Sequence, residues 1–289
     1  MSLWRVVVLA IVQGLAELLP VSSSAHVVVA EKLMGMDPSS PQMTLLLVML
    51  HTGTMFAVIL YFWKQWRIAF FQSVAAFKRT AWLLILATAI TGVIGEALVQ
   101  IIERFWFRGT PHAEVEELFS HLELIAPALA AVGILILIAG RSEKRASPSS
   151  APSDIGLNAR QASLVGIVQG LSLPFRGFSR SGATISTGML AGVAKMRAEQ
   201  FSFALAVILT PPVVGREVLR LVKAQHLTGS ARLASAMVPG IFGAICAFLA
   251  GLLALKWLSQ WLERGRWYLF GIYCLIAAAV VIALYHAGF

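Results

Sequence analysis

The stretch from Ile11 to His26 carries polar residues whose spacing could do chemistry in otherwise apolar surroundings. Gln13 and Glu17 are four residues apart, so on a helix their side chains share one face and could hold one cation or one water between them. An ionisable residue within a membrane segment is energetically costly and usually functional. The alternative is that this helix lies at a membrane interface, where both side chains simply meet water.

A run of hydroxyl groups follows. Pro20 ends the first helix, and the returning helix begins at three consecutive serines, Ser22, Ser23 and Ser24. We expect one of them to cap that helix, but three exceed what a cap needs, and a helix start is also a site for an anion. With His26 one turn further and Glu17 nearby, the set offers hydroxyl, imidazole and carboxylate for acid–base or nucleophilic catalysis. For His26, a buried imidazole bonded to the backbone is the structural alternative.

A second polar stretch contains Arg180 and follows residues 167–171, which repeat the Ile-Val-Gln-Gly-Leu of residues 11–15. A guanidinium fork, hydroxyl donors and the backbone amides of a helix start are suited to gripping phosphate, and glycines allow close backbone approach. The alternative is that Arg180 is a cytoplasmic arginine that only sets topology. The predicted substrate contacts around Arg180 are Ser22, Ser24, Ser179, Ser181, Gly182 and Thr184.

The composition predicts the elements that must position these residues. The chain has 289 residues, of which 58% are hydrophobic and 13% charged, whereas charged residues make up roughly a quarter of soluble domains. It is therefore a polytopic membrane protein. The formal charge of +9 does not indicate nucleic acid, because the cations lie in short stretches between apolar segments, where they set membrane topology.

Six segments are long enough to cross about 30 Å of hydrocarbon at about 20 residues each. They are residues 43–63, 81–103, 121–140, 199–221, 236–257 and 266–287. Four further apolar segments are too short to cross and come in pairs joined by turns rich in Pro, Ser and Gly, namely residues 3–18, 26–35, 161–172 and 183–194. Each pair predicts a re-entrant hairpin, which is tolerated at membrane depth only where protein or a water-filled cavity satisfies the turn.

The internal repeat divides the chain into two halves. Residues 1–141 contain a hairpin at 3–35 and three spans, and residues 161–289 contain a hairpin at 161–194 and three spans. Residues 142–160, rich in Ser, Pro and Ala, are predicted to be a flexible cytoplasmic linker. Three is an odd number, so the halves have opposite orientations, and such repeats place sites near the membrane midplane. The predicted fold is an all-α polytopic membrane protein with six transmembrane helices, two re-entrant helical hairpins and an inverted-topology repeat.

The cations between the spans predict an orientation. Lys and Arg are more frequent on the side that holds residues 64–79, 141–160, 195–197 and 256–266 than on the other side. Cytoplasmic loops carry the excess of positive charge. Both termini and the entrance of the first hairpin should therefore face outward.

Polar residues inside the long spans are weaker candidates. His51, near the middle of the first span, is expected to be a hydrogen-bonded packing residue rather than a ligand. The sequence contains no P-loop, no His-x-x-x-His spacing and no Gly-x-Ser-x-Gly motif.

Two stretches resemble the signatures of a known family. Residues 13–26, Gln-Gly-Leu-Ala-Glu-Leu-Leu-Pro-Val-Ser-Ser-Ser-Ala-His, and residues 177–184, Gly-Phe-Ser-Arg-Ser-Gly-Ala-Thr, are similar to those of the bacterial undecaprenyl-diphosphate phosphatases associated with bacitracin resistance. The resemblance runs through nearly the whole chain. It implies hydrolysis of undecaprenyl diphosphate to undecaprenyl phosphate at the outer leaflet of the bacterial plasma membrane, which recycles the lipid carrier of cell-wall synthesis. The implied partners are this polyprenyl diphosphate and membrane lipids; a homodimer is left open.

The resemblance also implies roles by motif position. Gln13 and Glu17 correspond to the metal and acid–base pair, Ser23 and His26 to the catalytic serine and histidine, and Arg180 to the phosphate-binding arginine. A divalent cation, Mg²⁺ or Ca²⁺, is expected with them, and such ions prefer carboxylate and phosphate oxygens. Two open choices are whether Ser23 or an activated water attacks phosphorus, and whether Glu17 or His26 accepts the proton.

The chain departs from the family pattern at two positions, and a second function is open. Arg176 stands where the family commonly has Pro, and Tyr273-Cys274 where it commonly has Tyr-Arg. The rival function is a transporter or flippase of a polyprenyl phosphate lipid, because inverted repeats with broken helices are a transporter layout. An anion channel would need a continuous polar pore, of which the spans show little.

Overall fold

The structure is a computed structural model that describes residues 2–37, 40–106, 122–142, 157–225, 231–263 and 265–288. Within these residues the chain forms ten α-helices and no strand. In chain order they are α1 Leu3–Leu18, α2 Ser23–Leu33, α3 Pro41–Phe70, α4 Val74–Trp106, α5 Leu122–Ser142, α6 Ala159–Ser172, α7 Arg180–Leu190, α8 Lys195–Gln225, α9 Ala231–Glu263 and α10 Tyr268–His286. The predicted all-α class is confirmed.

Six helices are long and apolar enough to cross a membrane, as predicted. The candidate spans are Met43–Phe70, Val74–Arg104, Leu122–Ser142, Lys195–Gly215, Met237–Trp261 and Tyr268–His286. Several helices extend well beyond the predicted segments, since α3 has 30 residues and α4 has 33. The prediction followed only the apolar run, whereas the backbone stays helical through the polar ends. The protein is a multi-pass membrane protein.

The four short helices occur where the sequence predicted them. Helices α1 and α6 match their predicted segments closely, whereas α2 and α7 start three residues early, at Ser23 and Arg180. The polar turn residues therefore form the first turns of these two helices. We call α1 with α2 the first short pair, and α6 with α7 the second short pair. Of the predicted linker at 142–160, residues 143–156 lie outside the described residues.

The packing of the long and short helices has the same pattern in both halves of the chain. Helix α1 packs on α9, the second long helix of the other half, and α6 packs on α4, its counterpart. The last helices of the two halves, α5 and α10, pack on each other, as do the first long helices, α3 and α8. The first helix of each short pair thus packs mainly on the second long helix of the other half, whereas α2 and α7 also contact long helices of their own half.

Small residues allow these close approaches. A Cβ added at Gly53 of α3 would lie 2.1 Å from the carbonyl oxygen of Ala244 in α9, and one added at Gly166 of α6 would lie 2.6 Å from that of Ala87 in α4. Glycine lets helices approach closely in a membrane, where association depends on van der Waals packing. Aromatic packing completes the centre, where the rings of Phe62 and Phe203 stack with centroids 5.4 Å apart.

Gly53→Ala tests the approach of α3 to α9. We expect it to lower the free energy of unfolding by about 1–3 kcal/mol, the usual cost of an overpacked core. Gly92→Ala is the matched control, because no atom lies within 4 Å of the added Cβ; there, alanine should be neutral or stabilise by up to about 1 kcal/mol. Thermal unfolding of the purified proteins in detergent compares them, and equal midpoints would show that the α3–α9 contact tolerates a methyl group.

Candidate active site

The turns of the two short pairs bring two helix starts together. Ser181 at the start of α7 donates a hydrogen bond to the Leu19 carbonyl oxygen, 3.3 Å away, and the Gly177 N–H donates to Ser24 Oγ, 3.4 Å away. Gly177 has φ +100° and a Cβ there would lie 2.5 Å from the Ile125 carbonyl oxygen, so this position requires glycine. The backbone amides at both helix starts therefore flank one region.

The two helix starts are capped differently. Ser179 caps α7, because its Oγ accepts a hydrogen bond from the Gly182 N–H at 3.2 Å. The expectation that a serine caps α2 is wrong for Ser22, which occupies the N-cap position without a side-chain cap. Ser22 has φ +67°, and its hydroxyl lies 3.2 Å from that of Ser24. The left-handed backbone directs the Ser22 hydroxyl along the turn instead of toward the amides of α2.

The Glu17 carboxylate is the centre of the site. Its Oε1 accepts a hydrogen bond from Arg180 Nη2 at 2.7 Å, which joins the two short pairs. Its Oε2 accepts hydrogen bonds from Ser23 Oγ and, at 3.2 Å, from Gln13 Nε2. The structure therefore brings together Gln13, Glu17, Ser23 and Arg180, all predicted from the sequence.

His51 also belongs to this cluster, which the sequence prediction missed. Its Nδ1 lies 2.8 Å from the Leu47 carbonyl oxygen, as expected for a packing residue, but its Nε2 lies 3.6 Å from Glu17 Oε2. The available signal was its ionisable ring within an apolar span, the same cost argument that singled out Glu17.

The charges around Glu17 set its protonation state. Burial by itself would raise the pKa of Glu17, but the positive charges of His51 and Arg180 and the hydrogen bond from Ser23 outweigh burial and lower the pKa below its usual value. The carboxylate is therefore ionised at neutral pH and can accept a proton only from a group that it contacts. Ser23 is such a group.

His26 lies beside the cluster and is bonded on both sides of its ring. Nδ1 lies 2.7 Å from the Ser22 carbonyl oxygen, and Nε2 lies 2.6 Å from the Tyr273 hydroxyl of α10, whose ring stacks on the imidazole. A carbonyl oxygen only accepts, so Nδ1 carries the hydrogen, and Nε2 of the neutral ring accepts from Tyr273. Burial lowers the pKa of His26, partly offset by the Ser22 carbonyl, which favours that neutral ring.

Tyr273 was missed because its motif pointed to its neighbour. The resemblance drew attention to Cys274, which is buried, with its Sγ 3.5 Å from the Pro20 carbonyl oxygen. The last span therefore contacts the first short pair through both residues. A phenol within an apolar helix was the only available signal for Tyr273.

Arg180 retains one unused donor. Its side chain is 22% exposed, and its buried Nη1 has no hydrogen-bond partner among the described residues. A guanidinium that donates to Glu17 through Nη2 can still donate a hydrogen bond from Nη1 to a phosphate oxygen, without first releasing Glu17.

The remaining predicted contacts have protein partners. The Thr184 hydroxyl donates to the Arg180 carbonyl oxygen at 2.8 Å and lies 2.6 Å from Ser202 Oγ. Thr184, Ser181 and Gly182 are buried, which places them beneath the start of α7. Their contact with a substrate stays a prediction, and the structure gives them a role in holding the helix start.

Within the described residues no group of three or more His, Cys, Asp or Glu side chains is arranged to hold a metal ion. Glu17 supplies one carboxylate and Gln13 one amide oxygen once its side chain is turned. This donor set fits a hard divalent cation only if phosphate oxygens complete its coordination, since Mg²⁺ and Ca²⁺ take six or more oxygen ligands.

The chain is similar to proteins of one family over nearly its whole length. Residues 6–280 match the family model described as bacitracin resistance protein BacA. The chain is 57% identical over 287 residues to undecaprenyl-diphosphatase 2 of Acinetobacter baylyi, covering 98% of each chain. It is also 36% identical over 288 residues to undecaprenyl-diphosphatase 2 of Burkholderia orbicola, covering 96% of this chain and 95% of that one. With this match and these signatures, the chain belongs to the bacitracin resistance protein BacA family.

Proposed function

We propose that this protein is an integral-membrane phosphatase that hydrolyses undecaprenyl diphosphate to undecaprenyl phosphate and inorganic phosphate. The observation that carries the proposal is the Glu17 carboxylate, which accepts hydrogen bonds from Ser23 and Arg180 at the meeting of two helix starts. Family membership and the names of its relatives support the same substrate. The free Nη1 of Arg180 offers a donor for the diphosphate.

Ser23 is the nucleophile in this proposal, and Glu17 is its base. Ser23 Oγ attacks the terminal phosphorus while its proton passes to Glu17 Oε2. The bond from that phosphorus to the bridging oxygen breaks, and undecaprenyl phosphate leaves. Water then attacks the phosphoserine, the Oγ–P bond breaks, Glu17 returns the proton to Ser23, and inorganic phosphate is released. Arg180 and the helix-start amides stabilise charge in both transition states.

Geometry favours Glu17 over His26 as the first proton acceptor. The Ser23 hydroxyl contacts Glu17, whereas both ring nitrogens of His26 are occupied by the Ser22 carbonyl and the Tyr273 hydroxyl. We assign His26 to the second step, where its Nε2 accepts the proton of the attacking water after Tyr273 moves aside.

A divalent cation, Mg²⁺ or Ca²⁺, would be held by the Glu17 carboxylate, the Gln13 amide oxygen and the diphosphate itself. When bound, it would neutralise phosphate charge and polarise the phosphoryl group.

We also propose that the two short pairs are re-entrant and that residues 1–141 and 161–289 are inverted repeats joined by a cytoplasmic linker at 142–160. Two observations support this arrangement: the four helices are short, and α1 and α6 each pack on a long helix of the other half, α9 and α4. The positive-inside rule then places the termini and the opening of the site outside the plasma membrane.

A flippase of a polyprenyl phosphate lipid is the second candidate. The packing of α1 on α9 and of α6 on α4 is compatible with a transporter built from inverted repeats. A hydroxyl that donates to a carboxylate, as Ser23 does to Glu17, is however a feature of catalysis that lipid binding does not require. Protein-dependent lipid flipping in vesicles without phosphate release under any divalent ion would favour the flippase.

Glu17→Gln and Arg180→Lys test the site directly. We expect phosphate release from undecaprenyl diphosphate in detergent to fall about 10²–10⁴-fold in Glu17→Gln, which loses the base. It should fall about 10²–10³-fold in Arg180→Lys, which keeps the charge but loses the fork. Glu96→Gln and Arg160→Lys make the same changes at exposed positions and should retain activity. A chelator should abolish wild-type activity, and added Mg²⁺ or Ca²⁺ should restore it.

Ser23→Ala tests the covalent step. Loss of a nucleophile should lower kcat at least about a thousandfold, and rapid acid quenching of the wild type should trap phosphoserine at residue 23, detectable by mass spectrometry. Full activity in Ser23→Ala would instead assign the attack to water.

His51→Gln tests the electrostatic setting of Glu17. The positive charge of His51 lowers the pKa of Glu17, so replacing His51 with the uncharged Gln raises that pKa. Because Glu17 must be ionised to act as base, kcat/KM should begin to fall at a higher pH on the acid side than in the wild type. If kcat/KM of His51→Gln falls at the same acidic pH as that of the wild type, His51 does not influence the pKa of Glu17.

A further inference from the structure

A second buried carboxylate lies in the first short pair, outside the Glu17 cluster. Glu31 is in the last turns of α2, is 0% exposed, and has both carboxylate oxygens buried without a hydrogen-bond partner among the described residues. An ionised carboxylate without hydrogen bonds is unfavourable unless an opposite charge compensates it. An ionised Glu31 would therefore need a positively charged residue nearby.

Two charged residues influence the pKa of Glu31, namely Arg176 and Asp37. Burial raises the pKa of Glu31 to about 7, with Arg176 lowering the pKa and Asp37 adding to the rise. Arg176 belongs to the loop of residues 173–179 that joins α6 to α7, which we call the α6–α7 loop. The interaction between Glu31 and Arg176 therefore connects the two short pairs.

The backbone next to Arg176 makes a second contact with the same helix. The Gly177 N–H donates to Ser24 Oγ, and Ser24 and Glu31 are seven residues apart on α2, two turns along one face. Consecutive residues of the α6–α7 loop thus face two positions on one side of α2. Arg180 begins α7 only three residues after Gly177, so the placement of this loop determines where the guanidinium of Arg180 lies.

We propose that Glu31 and Arg176 form a charge pair that fastens the α6–α7 loop to α2 and thereby positions Arg180. They are positioning residues, not catalytic residues, because they would act on the reaction only through the placement of Arg180. The role in hydrolysis rests on the proposed function; the charge pair itself does not.

The test is a double-mutant cycle of Glu31→Gln, Arg176→Gln and the double variant in purified full-length protein, at pH 6 and pH 8.5. Arg176→Gln leaves Glu31 without compensation. At pH 6 the carboxyl can stay protonated, whereas at pH 8.5 it must ionise or hold a proton at a cost. The raised pKa of an acid in the folded state lowers stability as pH rises through that pKa, so the fall in unfolding midpoint should be larger at pH 8.5.

The rate of hydrolysis tests the positioning role, because a charge pair that only stabilised the fold would leave kcat/KM of the folded protein unchanged. We expect kcat/KM of folded Arg176→Gln for undecaprenyl diphosphate to fall about 10–100-fold at pH 8.5, because a displacement of about 1 Å in a catalytic group costs up to about 10²-fold. The double variant should recover much of that loss, and Arg176→Lys should stay within a few-fold of the wild type. Arg160→Gln, the same change at an exposed arginine, should have no effect.

The outcomes separate the pair from the proposed function. Additive effects on the unfolding midpoint at pH 8.5 would overturn the charge pair even in an inactive protein. Unchanged kcat/KM together with non-additive unfolding would overturn the positioning role. If the wild type releases no phosphate, the proposed function fails. The position of Arg180 is then tested by how much inorganic pyrophosphate raises the unfolding midpoint. An equal rise in wild type and Arg176→Gln would overturn the positioning role. If Arg176→Gln does not fold, the charge pair predicts that both the double variant and Arg176→Lys fold, and failure of both to fold would overturn it.

Discussion

The need to compensate one half-buried carboxylate, Glu17, organises this structure. In an apolar environment an ionised carboxylate is tolerated only with hydrogen bonds and an opposite charge. Ser23 from α2, Arg180 from α7 and Gln13 from α1 supply the hydrogen bonds, and His51 approaches from α3. Four helices must therefore meet at one point. The same contacts keep the pKa of Glu17 low enough for it to act as a base, so folding and the proposed chemistry depend on one set of interactions.

The remaining architecture makes that meeting possible. In the proposed re-entrant arrangement, the short helices end within the protein, where their amides and hydroxyls need partners. Gly53 and Gly166 allow α3 to approach α9 and α6 to approach α4. Because α1 packs on α9 and α6 packs on α4, the two polar turns cannot separate without disturbing contacts between the two halves. This arrangement gives a rigid base to a site built from helix ends.

Two glutamates of the first short pair show how environment separates residues of one type. Glu17 has hydrogen bonds to both oxygens and a lowered pKa, whereas Glu31 has neither oxygen bonded and a pKa of about 7. Glu17 forms an ion pair with Arg180. The positive charge of Arg176 lowers the pKa of Glu31, but burial outweighs it.

Hydrophobic length and local motifs are properties of neighbouring residues, so the membrane class, the six long helices and the four short ones could be predicted before the structure. The same local signals singled out Gln13, Glu17, Ser23 and Arg180. The distant side chains that join them depend on the tertiary packing. His26 meets Tyr273 from 247 positions away, and His51 faces Glu17 from a helix whose apolar pattern predicted only packing. One of three serines was expected to cap α2, but Ser22 at the N-cap does not, because its φ of +67° depends on how the turn is held. Such contacts depend on how each helix is rotated and packed against its neighbours. In a membrane the hydrophobic pattern specifies this rotation only weakly, because lipid-facing and protein-facing surfaces are equally apolar.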